Sequence, residues 1–140
     1  MEQNLLEQTV EGDLTHFGKA RSILQKWTEA VASGRIEEIL NLYAKDAILV
    51  PTLTNEIAVT EDGRRSYFEF FLSNGRATCA VDHEDCRIDR DRCTVTIGGI
   101  YTFSFQRAAG VETVPARFLF TFEEFNGRWL ITGHHSSRCV

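Results

Sequence analysis

Four polar side chains that could carry acid–base chemistry end the last apolar segment of the chain: His134, His135, Ser136 and Ser137. Successive side chains of a β-strand point to opposite faces, so His135 and Ser137 share the face of Trp129. A histidine and a hydroxyl on one inward face can hydrogen-bond a small molecule and exchange protons with it. The spacing therefore predicts this pair at the end of a buried cavity. The alternative is a strand that ends in polar residues at the surface.

A β-bulge in this strand would exchange its two faces, because one extra residue reverses the alternation for everything that follows. Gly133, directly before the two histidines, is the expected place for such a bulge. With regular alternation, His134 and Ser136 would face outward and serve a subunit contact. Both pairs therefore stay in the predicted site.

A metal centre rich in histidine is not expected. His134 and His135 point to opposite faces of a regular strand, and His16 and His83 lie on distant segments. The acidic run at 82–85 is divided by the same alternation and is typical of a solvated strand end. We interpret the cysteines as small hydrophobic residues, because they form no C-x-x-C pair: Cys79, Cys86, Cys93 and Cys139. The sequence thus predicts no metal and no cofactor.

The chain before this strand predicts three helices. Apolar residues recur at intervals of three and four over 14–33, and Gly34 stands where a left-handed C-terminal cap is expected. A short second helix carries apolar residues between 36 and 43. A third covers 64–74, with Asp62 as its cap and aromatic side chains around most of its circumference.

From residue 77 onward the apolar period changes to two, which is typical of strands. Strands are predicted at 47–50, 77–88, 93–106, 113–124 and 127–137, with Asn126-Gly127 as a type I′ hairpin turn. Helices followed by a meander predict one α+β domain over 1–140, with 1–13 as a flexible or helical extension. The cone-shaped NTF2-like fold, with three N-terminal helices on a curved, mainly antiparallel sheet, has this order.

Composition narrows the classes of partner. The net charge is −5, which disfavours nucleic acid and anionic membranes as partners. No apolar run approaches the roughly 20 residues of a transmembrane helix, and 1–13 lacks the apolar centre of a secretory signal. We expect a water-soluble protein, in a bacterial cytoplasm or, for a trimmed eukaryotic domain, in a plastid. We also expect a homodimer through the convex face of the sheet.

Several short segments carry a family resemblance: Leu49-Val50-Pro51-Thr52 with Asn55, Tyr67-Phe68-Glu69-Phe70-Phe71-Leu72, Gly99-Ile100-Tyr101-Thr102-Phe103, Ala116-Arg117-Phe118, and Trp129-Leu130-Ile131 with His134-His135-Ser136-Ser137. Together they resemble the bacterial and algal relatives of the calmodulin-dependent kinase association domain. Within that group, they are most similar to the iota-class carbonic anhydrases. The resemblance runs over about 17–137 and departs at Gly133, where an acidic residue is expected.

This resemblance implies a lyase that hydrates carbon dioxide reversibly to bicarbonate without a metal. His135 would position water or accept its proton, while Ser137, Thr52 and Tyr67 would hydrogen-bond water and the bicarbonate oxygens. The other candidates for substrate binding are Tyr101, Arg117, His134, Ser136 and Asn55. Tyr101 would line the pocket, and Arg117 would supply positive charge or join an ion pair in an interface. Because the pKa of water lies about nine units above that of imidazole, roughly 12 kcal/mol, proton removal would have to be concerted with attack.

Two other functions remain open at this level. One is a non-catalytic domain that binds a small carboxylate or drives oligomerisation, like the kinase association domain itself. The other is a polyketide-cyclase or isomerase-like enzyme of the same fold, for which Glu69 is the available acidic base. Cavity size separates them, because room for a few waters favours carbon dioxide and several hundred Å³ favours an organic ligand.

Overall fold

Three helices and a five-stranded sheet make up the chain in the computed structural model. It describes residues 2–73 and 75–140, with side chains from residue 15 onward. The helices are α1 (Glu2–Ser33), α2 (Ile36–Leu40) and α3 (Glu61–Ser73). The strands are β1 (Tyr43–Val50), β2 (Ala77–Asp89), β3 (Thr94–Arg107), β4 (Gly110–Phe125) and β5 (Arg128–Arg138). The predicted end of the third helix, Asn74, lies outside the described residues.

The strands lie in the order β1-β5-β4-β3-β2. The pair β1–β5 is parallel and the other three pairs are antiparallel. Between β4 and β5, Asn126 and Gly127 have φ angles of 52° and 84°, the two positive values that a type I′ hairpin requires. The α+β fold with helices on a mainly antiparallel sheet is therefore confirmed. None of the described helices has an apolar stretch long enough to cross a bilayer.

The core lies between α1 and the inner face of the sheet. The buried side of α1 presents Leu24, Trp27 and Val31, which follow the spacing of three and four residues seen in the sequence. The central strands β3 and β4 oppose them with alternating aromatic side chains, among them Tyr101 and Phe120. Burying each such side chain stabilises the fold by roughly 1.5–3 kcal/mol, so this layer holds the sheet in a fixed position behind the helices.

Helix α3 begins at a different cap from the predicted one. Thr60 Oγ1 accepts the backbone N–H of Gly63 at 3.1 Å, the bond of an N-cap residue, so the assignment of Asp62 as the cap is wrong. The fourth residue of this helix, Arg64, is buried. Its guanidinium donates to the carbonyl oxygens of Ala47 at 2.8 Å and Ala44 at 3.0 Å. These bonds satisfy the part of β1 where pairing with β5 is irregular.

Candidate functional site

A bulge in β5 determines which of its polar side chains face the core. Phe122 of β4 pairs with Ile131, but the next β4 residue, Thr121, pairs with Gly133. Thr132 is therefore the extra residue, and the alternation reverses after it. The pairing is regular again from His134 onward. Ile131 before the bulge and His134 after it therefore lie on the same, inner face of the sheet.

The facing expected from regular alternation is consequently wrong for both pairs. His135 is exposed and Ser137 is half-buried, because they lie on the face of the sheet that no helix covers. His134 and Ser136 are each only 5% exposed and face the core. The exchange of faces anticipated for a bulge near Gly133 is confirmed.

His134 is surrounded by aromatic side chains and bonded at both ring nitrogens. Its Nδ1 lies 2.8 Å from Tyr43 Oη, and its Nε2 lies 3.2 Å from Tyr101 Oη. Phe120 stacks on the imidazole with ring centroids 3.8 Å apart, and the indole of Trp27 meets it edge-on. The ring therefore has one orientation, which its two tyrosine partners and its stacking partner determine together.

The hydrogen bonds also determine which nitrogen carries the proton. Trp27 Nε1 donates to Tyr43 Oη at 3.0 Å, and an indole N–H can only donate. Tyr101 uses its one O–H to donate to Ser136 Oγ, so it accepts from His134 Nε2, which carries the proton of the neutral imidazole. His134 Nδ1 then accepts from the O–H of Tyr43. This assignment follows from the network, as tautomers generally must.

The chain of donors continues to Ser136. Tyr101 Oη donates to Ser136 Oγ at 2.6 Å, and Thr52 Oγ1 donates to the same oxygen. Ser136 thus accepts two hydrogen bonds. Its own O–H has no acceptor among the described side chains, so this proton is the free donor at the end of the chain.

Burial keeps the whole network uncharged. Burial, with a smaller electrostatic contribution from neighbouring His135, lowers the pKa of His134 to about 3. Burial raises the pKa of Tyr101 and Tyr43 far above the usual range; the hydrogen bonds that they form with Ser136 and Trp27, respectively, oppose this only in part. It also raises the pKa of Tyr67, against a hydrogen bond from the backbone of Thr52. At neutral pH, these groups act through hydrogen bonds rather than through net charge.

A small cavity lies against this network. Its volume is about 10 Å³, measured as the space open to the centre of a water molecule, which is room for about one water. Its polar lining comes from Thr52, Tyr67, Tyr101, His134 and Ser136, and the rest is apolar. A surface groove of about 360 Å³ shares Pro51 and Tyr67 with this cavity, so these two side chains stand between it and solvent.

Thr52, Tyr67 and Tyr101 thus line one cavity, as the resemblance implied, but together with His134 and Ser136 instead of His135 and Ser137. Two other candidates do not reach it. Arg117 is exposed on the outer face of the sheet opposite Ser137, and Asn55 is exposed in the loop after β1. The roles expected for them in substrate binding have no support, because neither side chain lines the cavity.

The acidic run at 82–85 is divided, as expected, among separate partners. His83 Nε2 lies 2.8 Å from Asp85 Oδ2, while Glu84 accepts from Arg21 at 2.9 Å. Asp82 accepts a hydrogen bond from Thr102 at 2.6 Å. No shared set of ligands forms from these four side chains.

Sequence reasoning missed two members of the network, Trp27 and Tyr43. Both were assigned to the apolar faces of helices, and Tyr43 instead begins β1. The available signal was their chemistry, because a buried tryptophan or tyrosine normally needs a partner for its polar tip. Tyr43 lies 91 residues from His134 in the chain, so the partner itself was not visible in any local pattern.

Comparisons with known proteins agree with this architecture. The profile of the calcium/calmodulin dependent protein kinase II association domain matches residues 19–139. A proposed domain of this kind from Xanthomonas campestris is 31% identical, covers 86% of this chain and 85% of its own, and has a TM-score of 0.79. No curated protein matches.

More distant structures share the fold. A proposed scytalone dehydratase from Novosphingobium aromaticivorans is 10% identical over 94% of this chain and 89% of its own, with a TM-score of 0.82. A proposed dehydratase of the NTF2-like family from Streptomyces avermitilis is 10% identical over 91% of this chain and 99% of its own, with a TM-score of 0.81.

Proposed function

The chain belongs to the calcium/calmodulin-dependent protein kinase II association domain family, and from that premise we propose that it hydrates carbon dioxide reversibly to bicarbonate. The observation that carries the proposal is the cavity of about 10 Å³ at the end of a continuous chain of hydrogen-bond donors. Similarity of the motifs around Thr52, Tyr101 and His134 to the iota-class carbonic anhydrases adds support.

The size of the cavity favours the smallest substrates. Room for about one water excludes a polycyclic or sugar-sized ligand unless the surrounding aromatic side chains move. Carbon dioxide and the water that attacks it are a small pair of reactants, and the groove that shares Pro51 and Tyr67 with the cavity offers both a path of entry and the additional space they need. Glu69, the acidic base required for a cyclase or isomerase, is exposed on α3, so that alternative loses its candidate base.

His134 does not serve as the proton acceptor in this arrangement. Its pKa of about 3 lies some 13 units below that of water, so free hydroxide would cost roughly 17 kcal/mol. Its Nδ1 lone pair is also engaged by Tyr43. We assign His134 the role of orienting Tyr101 and, through it, Ser136.

The reaction can proceed without a strong base if hydroxyl groups relay the proton. Water attacks the carbon of carbon dioxide and passes a proton to Thr52 Oγ1, Thr52 passes its own proton along its hydrogen bond to Ser136 Oγ, and Ser136 passes its own proton to a substrate oxygen. The product is carbonic acid, both hydroxyls are regenerated, and bicarbonate forms when the acid ionises in solvent. Tyr101 holds the Ser136 oxygen in position throughout, which is the preorganisation that lowers such a barrier.

The donor set of the cavity favours a reaction without a metal there. His134 is the one nitrogen ligand lining it among the described residues, and tyrosine hydroxyls engage both of its ring nitrogens. The other polar groups are neutral hydroxyls, which are weak ligands compared with imidazole, thiolate or carboxylate.

Stopped-flow measurement of carbon dioxide hydration on chelator-treated protein tests the proposal. We expect activity in the wild type, a loss of at least about 100-fold in Ser136→Ala, and no change in Ser137→Ala, the matched serine on the outer face. Activity that vanishes with chelation and returns with added metal would overturn the metal-free reaction. Absence of activity both with and without added metal would overturn the proposal that the protein is an enzyme.

A non-catalytic role as an assembly or carboxylate-binding domain is the second candidate. It is favoured by the family description and by the groove of about 360 Å³, which is large enough for a small carboxylate. Hydration at the uncatalysed rate together with saturable binding of acetate would favour it.

We also propose that the chain forms a homodimer through the outer face of the sheet. Ile48 and Leu119 are 52% and 48% exposed there, with Ile48 opposite Gly133 and Leu119 opposite His135 in the strands on either side of β5. Membership of an association-domain family supports self-association through such an apolar surface. Light scattering during gel filtration should give a dimer for the wild type and a monomer for Leu119→Asp.

A further inference from the structure

A second cluster of ligating side chains lies outside the cavity, where α1 meets one end of the sheet. A ring nitrogen of His16, Sγ of Cys93 and a carboxylate oxygen of Glu124 all lie within 4.8 Å of one another. They come from α1, from the turn between β2 and β3, and from the end of β4. We propose that these three residues bind Zn²⁺.

One nitrogen atom of the cluster lacks a hydrogen-bond partner, which is consistent with a site for a ligand. His16 Nδ1 is buried and has no hydrogen-bond partner among the described residues. A buried ring nitrogen without a partner is rare in folded proteins and is usually explained by a ligand, an ion or water. The buried Nε1 of Trp129 also lacks a partner, and its ring centroid is 5.5 Å from that of His16.

The backbone holds two of the three ligands in place. The N–H of Glu124 donates to the carbonyl oxygen of Cys93 at 3.2 Å, which ties the end of β4 to the turn. Cys93 has a positive φ of 47° and is fixed by a second backbone bond to Arg90. Its thiol makes a long contact of 3.7 Å with the Arg90 carbonyl, which binding as thiolate would replace.

The ligand chemistry fits zinc. Imidazole, thiolate and carboxylate are the three side-chain types that bind Zn²⁺, at about 2.0–2.3 Å in tetrahedral geometry. That geometry places the donor atoms about 3.4–3.7 Å apart, so closure requires side-chain movements of roughly 1 Å. Thiolate and carboxylate together balance the charge of the ion. All three residues are half-buried, so a water can complete the coordination.

A bound ion would link α1 to the sheet. This site carries charged ligands, in contrast to the neutral network around His134. Ligands from three elements meet at one ion only in the folded chain, so the ion stabilises the native state by mass action. This inference is independent of the reaction proposed above. The sequence did not suggest it, because the three residues are far apart in the chain.

Zn²⁺ titration of chelator-treated protein against a chromogenic chelator tests the site, together with thermal unfolding in the presence and absence of equimolar Zn²⁺. We expect one ion per chain and a higher unfolding midpoint. Binding should weaken by at least about tenfold in His16→Gln, Cys93→Ser and Glu124→Gln. The matched controls His83→Gln and Cys86→Ser, which change exposed residues of the same types, should leave it unchanged.

Co²⁺ provides a readout that a merely structural effect would not produce. Bound Co²⁺ should give a thiolate charge-transfer band that disappears in Cys93→Ser and remains in Cys86→Ser. Cys93 has a positive φ, so Cys93→Ser could also disturb the turn. His16→Gln lies in regular helix and therefore serves as the second variant of the site. Zn²⁺ binding that is absent, unchanged in all three variants, or matched by Mg²⁺ would overturn the proposal.

Discussion

His134 and His135 are neighbours in the chain and have opposite environments. His134 is buried, stacked on Phe120 and bonded at both ring nitrogens, and its pKa falls to about 3. His135 is exposed on the outer face, beside Leu119. One histidine thus links two tyrosines by hydrogen bonds as a neutral imidazole, whereas its neighbour is exposed to solvent on the other face of β5. Facing, and not residue type, decides what each histidine can do.

The two serines that follow repeat the contrast. Ser136 accepts hydrogen bonds from Tyr101 and Thr52 and lines the cavity. Ser137 lies opposite Arg117 on the outer face. A motif of four polar residues therefore supplies two side chains to the site and two to the surface. Reading the motif as one unit would assign chemistry to residues that cannot reach the cavity.

Alanine at each histidine in turn gives the largest expected difference. His134→Ala leaves the hydroxyls of Tyr43 and Tyr101 without a partner and opens a gap beside Phe120, so we expect a loss of roughly 3–5 kcal/mol in the free energy of unfolding. His135→Ala should change it by no more than about 0.5 kcal/mol. Urea denaturation of both variants measures the difference. Equal losses would contradict the facing described above.

The dependence of stability on pH gives a second, smaller difference. The pKa of His134 is about 3 in the folded protein and about 6.5 in the unfolded chain, so the unfolded state binds the extra proton between these values. Stability from this group is complete above pH 6.5 and is lost as the pH falls towards 3. The loss between pH 7 and 4.5 should be about 2–3 kcal/mol.

Two variants isolate this contribution from other titrating groups. His134→Gln keeps an acceptor for Tyr43 and a donor for Tyr101 but carries no charge at any pH, so its stability should fall less steeply. His135→Ala should keep the full wild-type slope. Urea denaturation at several pH values gives the slopes, and parallel curves for the wild type and His134→Gln would refute the depressed pKa.

Local sequence patterns were sufficient for the features that depend on neighbouring residues. The apolar stripe of α1 predicted its buried side, with Leu24 and Trp27 in the core, and Asn126-Gly127 predicted the hairpin. Periodicity and turn chemistry act over a few residues, so one sequence is enough to read them. The assignment of Thr52 and Tyr101 to the cavity came instead from the family resemblance, since no local pattern distinguishes a pocket hydroxyl from one that caps a turn or fills the core.

Features that depend on long-range pairing could not be derived in this way. The bulge at Thr132 arises from the register of β5 against β4; Gly133 indicated where a bulge could form, but no local pattern showed that it does. The bond between Tyr43 and His134 spans 91 residues, and the cluster of His16, Cys93 and Glu124 joins three elements. The sequence shows that buried polar side chains need hydrogen-bond partners or ligands. Only the fold shows which residues those partners are.

Deletion of Thr132 is the sharpest test of the bulge, with an expected effect on stability smaller than that of His134→Ala or of the pH change. Without it, Ile131 is followed directly by Gly133, and the pairings of Phe122 with Ile131 and of Phe120 with His134 fit regular alternation. His134 should therefore stay inside, at a cost of about 1 kcal/mol for the altered strand. Histidine ring NMR should find it still neutral at pH 5.

Deletion of Leu130 is the matched control, because it removes one residue from the regular part of the same strand. It reverses the facing of β5 on one side of the deletion, so it should expose Trp129 or withdraw His134 and cost several kcal/mol. If the Thr132 deletion instead lets His134 titrate near pH 6.5, the extra residue is required for burial. The contrast between the two histidines would then rest on strain within β5 rather than on alternation alone.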